Sequence, residues 1–444
     1  MKRYFLCAVM LLVLTSCGAA PDGTQAPDAL VDNSRSGATA SGAQSHTNTD
    51  AKDPMLLSPP GQQQFNAGLT AGASGQLDQA EQAFQQVTRT DPDAPHPYYN
   101  LGVVSERRGA DLKALNLYQQ AIQKKADYYP ALSAAAKLLL RYGKRDQAVQ
   151  MLRTASGKAS SNIKIIVLYA DVLTGAQRYE EAIQVAKRAL RLDERSAEAM
   201  LQIGKANLRM GRLELAEAIF NQVLSINDRI AEVYFLQGLL ELEKGVRILA
   251  IRKFEKAVEI NPFYPEALNN LAVEYMYAGN YSSALPLLER AMQITPSWGI
   301  IYLNYGNALR GAGNWKRALA VFQRAEKMLP GSAAITFNMA VLYYAADELG
   351  GLSRLARLQK ARALFAKYKA QRGKADTDVN DDEAIRYIKE LDVLIEREQV
   401  RMQRQREAAA REKERQKPSA PVAEPSGTDA AGAAEIGDDD DGWE

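Results

Sequence analysis

Residues 299–332 read GIIYLNYGNALRGAGNWKRALAVFQRAEKMLPGS, and this stretch sets the pattern for most of the chain. Its alanine at position 318 has counterparts at every thirty-fourth residue back to position 80, without a gap. A fixed period of this length is typical of stacked structural repeats, and it determines the whole architecture. The alanines are Ala80, Ala114, Ala148, Ala182, Ala216, Ala250, Ala284 and Ala318.

Two further positions keep the same period. Twelve residues before each alanine stands a small residue, and four residues after it stands a residue that is usually bulky. Small residues let two helices approach closely, and a large side chain fills the space beside them. The small residues are Gly68, Gly102, Ala136, Ala170, Gly204, Gly238, Ala272 and Gly306; their later counterparts are Phe84, Tyr118, Leu152, Ala186, Phe220, Phe254, Leu288 and Phe322.

The spacing within one period predicts two helices joined by a turn. Twelve residues leave room for the end of one helix, the turn and the start of the next. In most units a glycine stands seven residues after the small residue, where a left-handed helix end favours glycine. Prolines such as Pro262 and Pro330 follow the second helix, which they would terminate.

The pattern Tyr302-x2-Tyr305-Gly306 … Ala318-x3-Phe322 … Pro330 resembles the tetratricopeptide repeat family. The resemblance implies an all-α, right-handed superhelical solenoid of eight to nine repeats over residues 61–372. The predicted units start at residues 61, 95, 129, 163, 197, 231, 265, 299 and 333. In the ninth unit the second helix is expected nine residues late, with extra residues within 347–360.

The first seventeen residues are typical of an export signal. Lys2 and Arg3 precede an apolar run that is too short to span a bilayer, and Leu14-Thr15-Ser16-Cys17 resembles the lipobox of bacterial lipoproteins. The resemblance implies that Cys17 carries fatty acyl chains such as palmitate. Gly18 then resembles a signal for the outer membrane, with the protein facing the periplasm. The alternative is an ordinary signal peptide with an incidental cysteine.

The remaining segments are polar. Residues 18–60 are rich in Ala, Gly, Ser, Thr, Asp and Pro and are predicted to be a disordered tether. Residues 373–417 are predicted to form a helix that caps the ninth unit through Ile385, Ile388, Leu391 and Ile395. From Arg397 onward this helix is charged on all sides, either as a solvated extension or as a basic contact site. Residues 418–444 are predicted to be a disordered acidic tail with no metal site.

Composition excludes several classes of function. The net charge of +2 gives no argument for nucleic acid binding, and the only two cysteines, Cys7 and Cys17, leave no disulfide or thiolate metal site for the folded part. The chain contains no phosphate-binding loop, paired His/Glu metal motif or nucleophile–histidine arrangement. We therefore expect no catalytic residues, no cofactor, no metal and no small-molecule substrate, and conclude that the chain is not an enzyme.

The resemblance implies a partner-binding groove lined by the second, fifth, sixth, ninth and twelfth residues of each first helix. In units 6 to 9 most of these positions are apolar or asparagine. We expect Asn270, Asn304 and Asn338 to face solvent and to donate to an extended partner segment. Binding elsewhere on the array is an open alternative, because asparagine is common at the sixth position. The predicted groove residues are Phe235, Leu239, Asn269, Asn270, Val273, Asn304, Asn307, Phe337, Asn338, Val341 and Tyr344.

A solenoid of this kind offers a long surface for other proteins. The resemblance to gliding-motility lipoproteins and to type IV pilotins implies a membrane-anchored scaffold or assembly factor for a trans-envelope machine. The alternative is a periplasmic scaffold or regulator of cell-wall enzymes. In either case the partner is a protein.

Overall fold

The computed structural model of the chain describes residues 55–372 and 383–416. These residues form nineteen α-helices and no strand, which confirms the predicted all-α solenoid. The predicted signal peptide with Cys17, residues 18–54, residues 373–382 and the acidic tail 418–444 lie outside the described residues. None of the described helices has both the length and the apolar character that crossing a membrane requires.

Eighteen of the helices form nine consecutive pairs, each with a first and a second helix, and the last helix follows them. The pairs are α1 (Pro59–Ala73) and α2 (Leu77–Thr90); α3 (Pro95–Arg107) and α4 (Asp111–Lys124); α5 (Tyr129–Arg141) and α6 (Arg145–Lys158); α7 (Ile163–Gly175) and α8 (Tyr179–Leu192); α9 (Ala197–Arg209) and α10 (Leu213–Ile226); α11 (Ala231–Glu243) and α12 (Arg247–Ile260); α13 (Pro265–Tyr277) and α14 (Tyr281–Ile294); α15 (Gly299–Gly311) and α16 (Trp315–Met328); α17 (Ala333–Ala345) and α18 (Arg354–Arg372). Helix α19 (Glu383–Arg415) is the last.

The helices keep the period of the sequence. From α3 to α17 every first helix begins thirty-four residues after the preceding one, at the residue that starts each predicted unit. Only α1 differs, since it begins at Pro59 rather than at Gly61. Ser58 caps it: the Ser58 hydroxyl donates to Asp91 Oδ2 over 2.7 Å and accepts from the Gly61 amide. A side-chain cap at this position satisfies a free helix amide and fixes the start of the helix.

The two helices of a pair pack through the small and bulky positions. A Cβ at Gly306 would lie 2.4 Å from the Phe322 ring, and Gly68, Gly102, Gly204 and Gly238 are similarly close to the aromatic ring of their own unit. In units 3, 4 and 7 the small residue is alanine, and the bulky position holds leucine or alanine instead of an aromatic ring, as in the pair Ala272 and Leu288. Glycine therefore accompanies an aromatic residue because the ring occupies the volume of the missing methyl group.

The turn inside most units needs a left-handed residue. Gly75, Gly109, Gly143, Gly211, Gly245, Gly279 and Gly313 all have positive φ values between 69° and 79°. Unit 4 has no glycine at this point, yet Gln177 adopts the same conformation with a φ of 65°. The neighbouring units impose a backbone on Gln177 that its own side chain disfavours.

The end of the solenoid departs from the period. Gly350 and Gly351 turn the inserted segment after α17, and Arg357 of α18 donates to the backbone carbonyls of Tyr343 and Ala346. Helix α19 packs against α18, as predicted for the cap, and the face that it buries overlaps the predicted one but is centred on Ala384, Tyr387 and Leu391. Tyr387 stacks on Phe365 with ring centroids 4.7 Å apart. Of the four predicted apolar residues only Leu391 is buried; Ile385, Ile388 and Ile395 are half-buried, while Ala384 and Tyr387 are buried.

Candidate functional site

The first helices form one continuous surface. Helix α7 contacts α5 and α9, α9 contacts α11, and α15 contacts α13 and α17, whereas the second helices pack mainly between neighbouring first helices. In such a stack each second helix packs between two first helices, and neighbouring first helices also touch each other. A solenoid stacked in this way is curved, with the first helices on its concave side. We call the surface made by the second, fifth, sixth, ninth and twelfth residues of the first helices the inner face.

In units 7 to 9 the inner face is closed by contacts within the chain. The fifth and ninth residues of α13, α15 and α17 are all buried. Val273, Asn307 and Val341 are between 3% and 6% exposed. Phe337 packs on Phe365, Tyr368 and Tyr387 at centroid distances of 5.4, 5.0 and 6.3 Å. We call these three helices the closed section.

Helix α19 contributes to this closure. Tyr387 lies edge-on to Tyr344, with ring centroids 5.5 Å apart, and the Tyr344 hydroxyl donates to the Glu390 carboxylate. Burial and this carboxylate raise the pKa of the Tyr344 phenol. Two of the predicted groove residues, Phe337 and Tyr344, are therefore in contact with the chain's own last helix.

The expectation that three asparagines face solvent is wrong for two of them. Asn304 and Asn338 are 5% and 0% exposed, and only Asn270 is half-buried. Asn304 Nδ2 donates to Asn269 Oδ1 over 2.8 Å, and Asn270 and Asn338 each donate to the carbonyl four residues earlier in their own helix. Of the three, only Asn304 bonds to a neighbouring first helix, α13. The amides therefore already have acceptors in the free chain.

Sequence reasoning missed Arg310, the twelfth residue of unit 8. Its Nε is buried and has no hydrogen-bond partner among the described residues. Burial lowers the pKa of its guanidinium, and the nearby hydroxyls of Tyr281 and Tyr387 act in the opposite direction. The signal in the sequence is that the twelfth residue is leucine or methionine in four of the preceding units and charged in only one of them, at Glu106.

In units 3 to 6 the inner face is open and carries charge. Lys205 Nζ lies 2.5 Å from Asp171 Oδ1 and 3.0 Å from Glu232 Oε1, so one ammonium group joins α7, α9 and α11. The lysine is 9% exposed. A buried ammonium is tolerated here because two carboxylates compensate its lost hydration. We call α5, α7, α9 and α11 the open section.

Two lysines of the open section have no such compensation. Lys137 is the ninth residue of unit 3 and Lys164 is the second residue of unit 4, the positions that Lys205 and Glu232 hold two units later. Lys137 is half-buried and Lys164 is exposed, and neither forms an ion pair within the described residues. By the same repeat relation Lys137 and Lys164 lie near each other, and Asp171, the ninth residue of unit 4, already pairs with Lys205. A carboxylate from outside would relieve the repulsion between the two lysines.

The other end of the open section is apolar. Phe235, Leu239 and Leu242 of α11 are half-buried and lie on one side of the helix at spacings of four and three residues. Stacking of Phe235 on Phe254 and Tyr264, at 5.7 and 5.2 Å, fixes the phenylalanine ring in place. A fixed, partly exposed apolar stripe is typical of a contact surface.

The arrangement supports non-covalent binding. Among the described residues no group of three or more His, Cys, Asp or Glu side chains is placed to hold a metal ion. His96, the only described histidine, is buried and packs edge-on against Phe65 at 4.9 Å. The inner face thus offers charges, amides and apolar side chains along a row of helices.

Family models match several stretches of the chain. Models described as tetratricopeptide repeat match residues 65–130, residues 112–165 and 173–240, and residues 265–298. These matches and the nine helix pairs in one register show that the described residues form a solenoid of tetratricopeptide repeats. Members of this family mediate protein–protein interactions and act as scaffolds.

Solved structures of the same repeat are similar to the chain at low identity. The APC/C hetero-tetramer Cut9–Hcn1 is 12% identical, with 71% of this chain and 59% of that chain covered and a TM-score of 0.49. A thermophilic TPR protein from Thermus thermophilus, TTC0263, is 23% identical, with 41% and 100% covered and a TM-score of 0.36. YrrB, a TPR protein with an unusual peptide-binding site, is 22% identical, with 43% and 98% covered and a TM-score of 0.28. No curated protein matches the chain.

Proposed function

We propose that this protein is a lipid-anchored scaffold that holds a segment of a partner protein on the open section of its inner face. The partner belongs to a trans-envelope machine of the gliding-motility, type IV pilus or secretion kind. The anchor is Cys17, in the outer membrane and facing the periplasm, and residues 18–54 connect it to the solenoid. The tetratricopeptide repeats support the scaffold role, and the lipobox-like sequence supports the anchor.

The observation that carries the binding proposal is the contrast along the open section. Two uncompensated lysines lie at one end, in units 3 and 4, and the apolar stripe of α11 lies at the other, in unit 6. Neighbouring first helices are roughly 10 Å apart, so the two ends are separated by roughly 20–30 Å. An extended peptide covers that distance with about seven to nine residues. The partner segment is therefore extended, with an acidic residue near one end and an apolar side chain near the other.

Affinity capture of the lipidated protein from its own membranes tests the class of partner. Secretin or motility components in the captured fraction support the proposal. Penicillin-binding proteins or other cell-wall enzymes in their place would support the alternative of a cell-wall scaffold and contradict the machine-assembly role.

The binding surface is tested with the captured partner and charge-reversal variants. Lys137→Glu with Lys164→Glu should weaken binding about tenfold, since each reversal replaces an attraction by a repulsion. The matched control is Lys158→Glu with Lys187→Glu, two exposed lysines on the second helices of the same units. Similar losses from both pairs would mean that net charge, not the inner face, governs binding.

The anchor is tested separately with Cys17→Ser. This variant should leave the membrane fraction and retain its helical circular dichroism, because Cys17 lies outside the repeats. A variant that still sediments with membranes would contradict the lipid anchor.

A further inference from the structure

Helix α19 leaves the body of the solenoid after Glu398. Glu398 is 6% exposed and lies 3.9 Å from Arg354, the first residue of α18. From residue 399 to residue 415 every side chain is exposed except the half-buried Met402. At 1.5 Å per residue this projecting part of the helix is roughly 25 Å long.

One side of this part of the helix is lined with arginine. The spacings of four, three, seven and four residues place all five within a stripe about 80° wide, because successive helical residues are rotated by about 100°. All five are exposed. We call them the arginine stripe: Arg397, Arg401, Arg404, Arg411 and Arg415.

The stripe has little compensation from the described residues. Arg401 pairs with Glu398 at 2.5 Å, whereas the other four arginines form no hydrogen bond or ion pair within residues 55–372 and 383–416. Glu407 and Glu412, the nearest acidic residues toward the end of the helix, accept hydrogen bonds from Gln403 and Gln416 instead. Like charges one turn apart on a helix repel each other. A row of anionic groups along the stripe would remove that repulsion.

We propose that the arginine stripe binds an extended acidic segment, and that its occupant is residues 435–444 of the same chain. This segment reads EIGDDDDGWE and holds six carboxylate side chains and one tryptophan. Guanidinium groups bind carboxylates through paired hydrogen bonds, and they stack on indole rings. The segment therefore matches the stripe in sign and in chemistry.

The lengths also match. In an extended conformation Asp438 and Asp441 are about 10 Å apart. Arg404 and Arg411, which are seven residues apart on a helix, are separated by about the same distance along its axis. Residues 417–437 connect the helix to the acidic run, and a random-coil linker of that length would have a root-mean-square reach of roughly 25 Å. That reach extends along the whole stripe, and a tether of this length gives an effective concentration in the millimolar range.

A labelled peptide of residues 435–444 tests the proposal in solution at low salt, with the full chain. The variant with Asp438→Asn, Asp439→Asn, Asp440→Asn and Asp441→Asn should bind this peptide about tenfold more tightly than the unmodified chain. The reason is that its own segment no longer competes at millimolar effective concentration. Equal affinity of the two chains would overturn the proposal.

Location on the stripe is tested in the variant that lacks the four aspartates. Arg404→Gln with Arg411→Gln should weaken peptide binding at least tenfold. Arg406→Gln with Lys413→Gln, on the opposite side of the same helix, removes the same charge and should weaken it less than threefold. Circular dichroism checks that both pairs keep their helix, which glutamine favours. Equal losses from the two pairs would overturn the stripe as the site.

Other anionic ligands provide a further test of whether residues 435–444 occupy the stripe. With its own segment in place, the full chain should bind single-stranded DNA and acidic lipid vesicles more weakly than the aspartate-free variant does. Equal binding by both chains would show that the stripe is open to another partner and would contradict occupancy by residues 435–444. None of these measurements depends on a ligand of the inner face.

Discussion

In units 7 to 9 the fifth and ninth residues of the first helices are buried, whereas in units 3, 4 and 6 the same positions are half-buried. In unit 5 both positions are buried as well: Leu201 packs in the apolar core, and Lys205 is held by its two ion pairs. The same two repeat positions therefore lie in the core at one end of the array and at the surface in its middle. In unit 9 the difference comes from the neighbours, because α18 and α19 pack on Phe337, and α19 also packs on Tyr344.

The largest expected effect tests whether the closed section is structural. Asn304→Ala removes the donor to Asn269 and leaves a buried amide oxygen without a partner, which should lower the free energy of unfolding by about 1–3 kcal/mol. Asn66 holds the sixth position of unit 1 and is exposed, so Asn66→Ala should change it by less than about 0.5 kcal/mol. Thermal and urea unfolding measure both. Equal, small changes would show that the closed section is not packed as described.

Arg310 gives the next largest effect. Because burial lowers the pKa of its guanidinium, the charged form is destabilised in the folded chain at every pH below the folded-state pKa, pH 7 included. Arg310→Met should therefore raise the stability at pH 7 by about 1 kcal/mol or more. Arg209→Met in the open section, where the arginine is exposed, should leave it nearly unchanged. A loss of stability in Arg310→Met would indicate that the charge has a stabilising partner.

A smaller effect concerns alkaline pH. Burial and the carboxylate of Glu289 raise the pKa of Tyr305 to about 12. The folded chain then holds this proton more tightly than the unfolded chain, so the contribution is fully present below about pH 10 and is lost as the pH rises toward 12. Melting temperatures between pH 9 and 12 should fall less steeply for Tyr305→Phe than for the unmodified chain.

The control for this prediction changes the acceptor instead of the phenol. Glu289→Gln keeps the Tyr305 hydroxyl and removes the carboxylate that accepts its hydrogen bond, so the slope should again become less steep. If Glu289→Gln leaves the slope unchanged, the Glu289 contact is not its cause.

The sequence predicts the repeats accurately for a physical reason. The small and bulky positions meet inside each helix pair, so the constraint repeats in every unit and is visible as a period. Gly306 and Phe322 illustrate this, since a methyl group on one would overlap the ring of the other. The start of nearly every first helix follows from the same register.

The state of the inner face could not be predicted in the same way. Exposure of Phe337 and Asn338 depends on contacts with α18 and α19, which break the period. Sequence spacing also placed Asn304 on the solvent side, although its amide bonds to Asn269 of the preceding first helix. Arg310 was visible as an exception, but nothing in its spacing shows that Tyr281 and Tyr387 surround it.

The smallest expected effect concerns the turn that ends α7, the helix that carries Lys164 and Asp171. Gln177 has a φ of 65° there, while the equivalent residue of the next unit is Gly211 with a φ of 72°. A left-handed conformation costs a residue with a side chain about 1–2 kcal/mol, and glycine does not have this cost. Part of the resulting gain in stability is offset, because glycine has a larger conformational entropy in the unfolded chain. Gln177→Gly should therefore raise the free energy of unfolding by about 0.5–1 kcal/mol. The matched reverse change, Gly211→Ala, should lower it by about 1 kcal/mol. Partner affinity should stay constant in both, because the turn follows the inner-face residues and does not include them.

If the glycine variant is less stable, Gln177 contributes a contact that outweighs its strain. Its long hydrogen bond from Arg145, at 3.5 Å, is then the first candidate, and Arg145→Ala would have to show a loss of the same size.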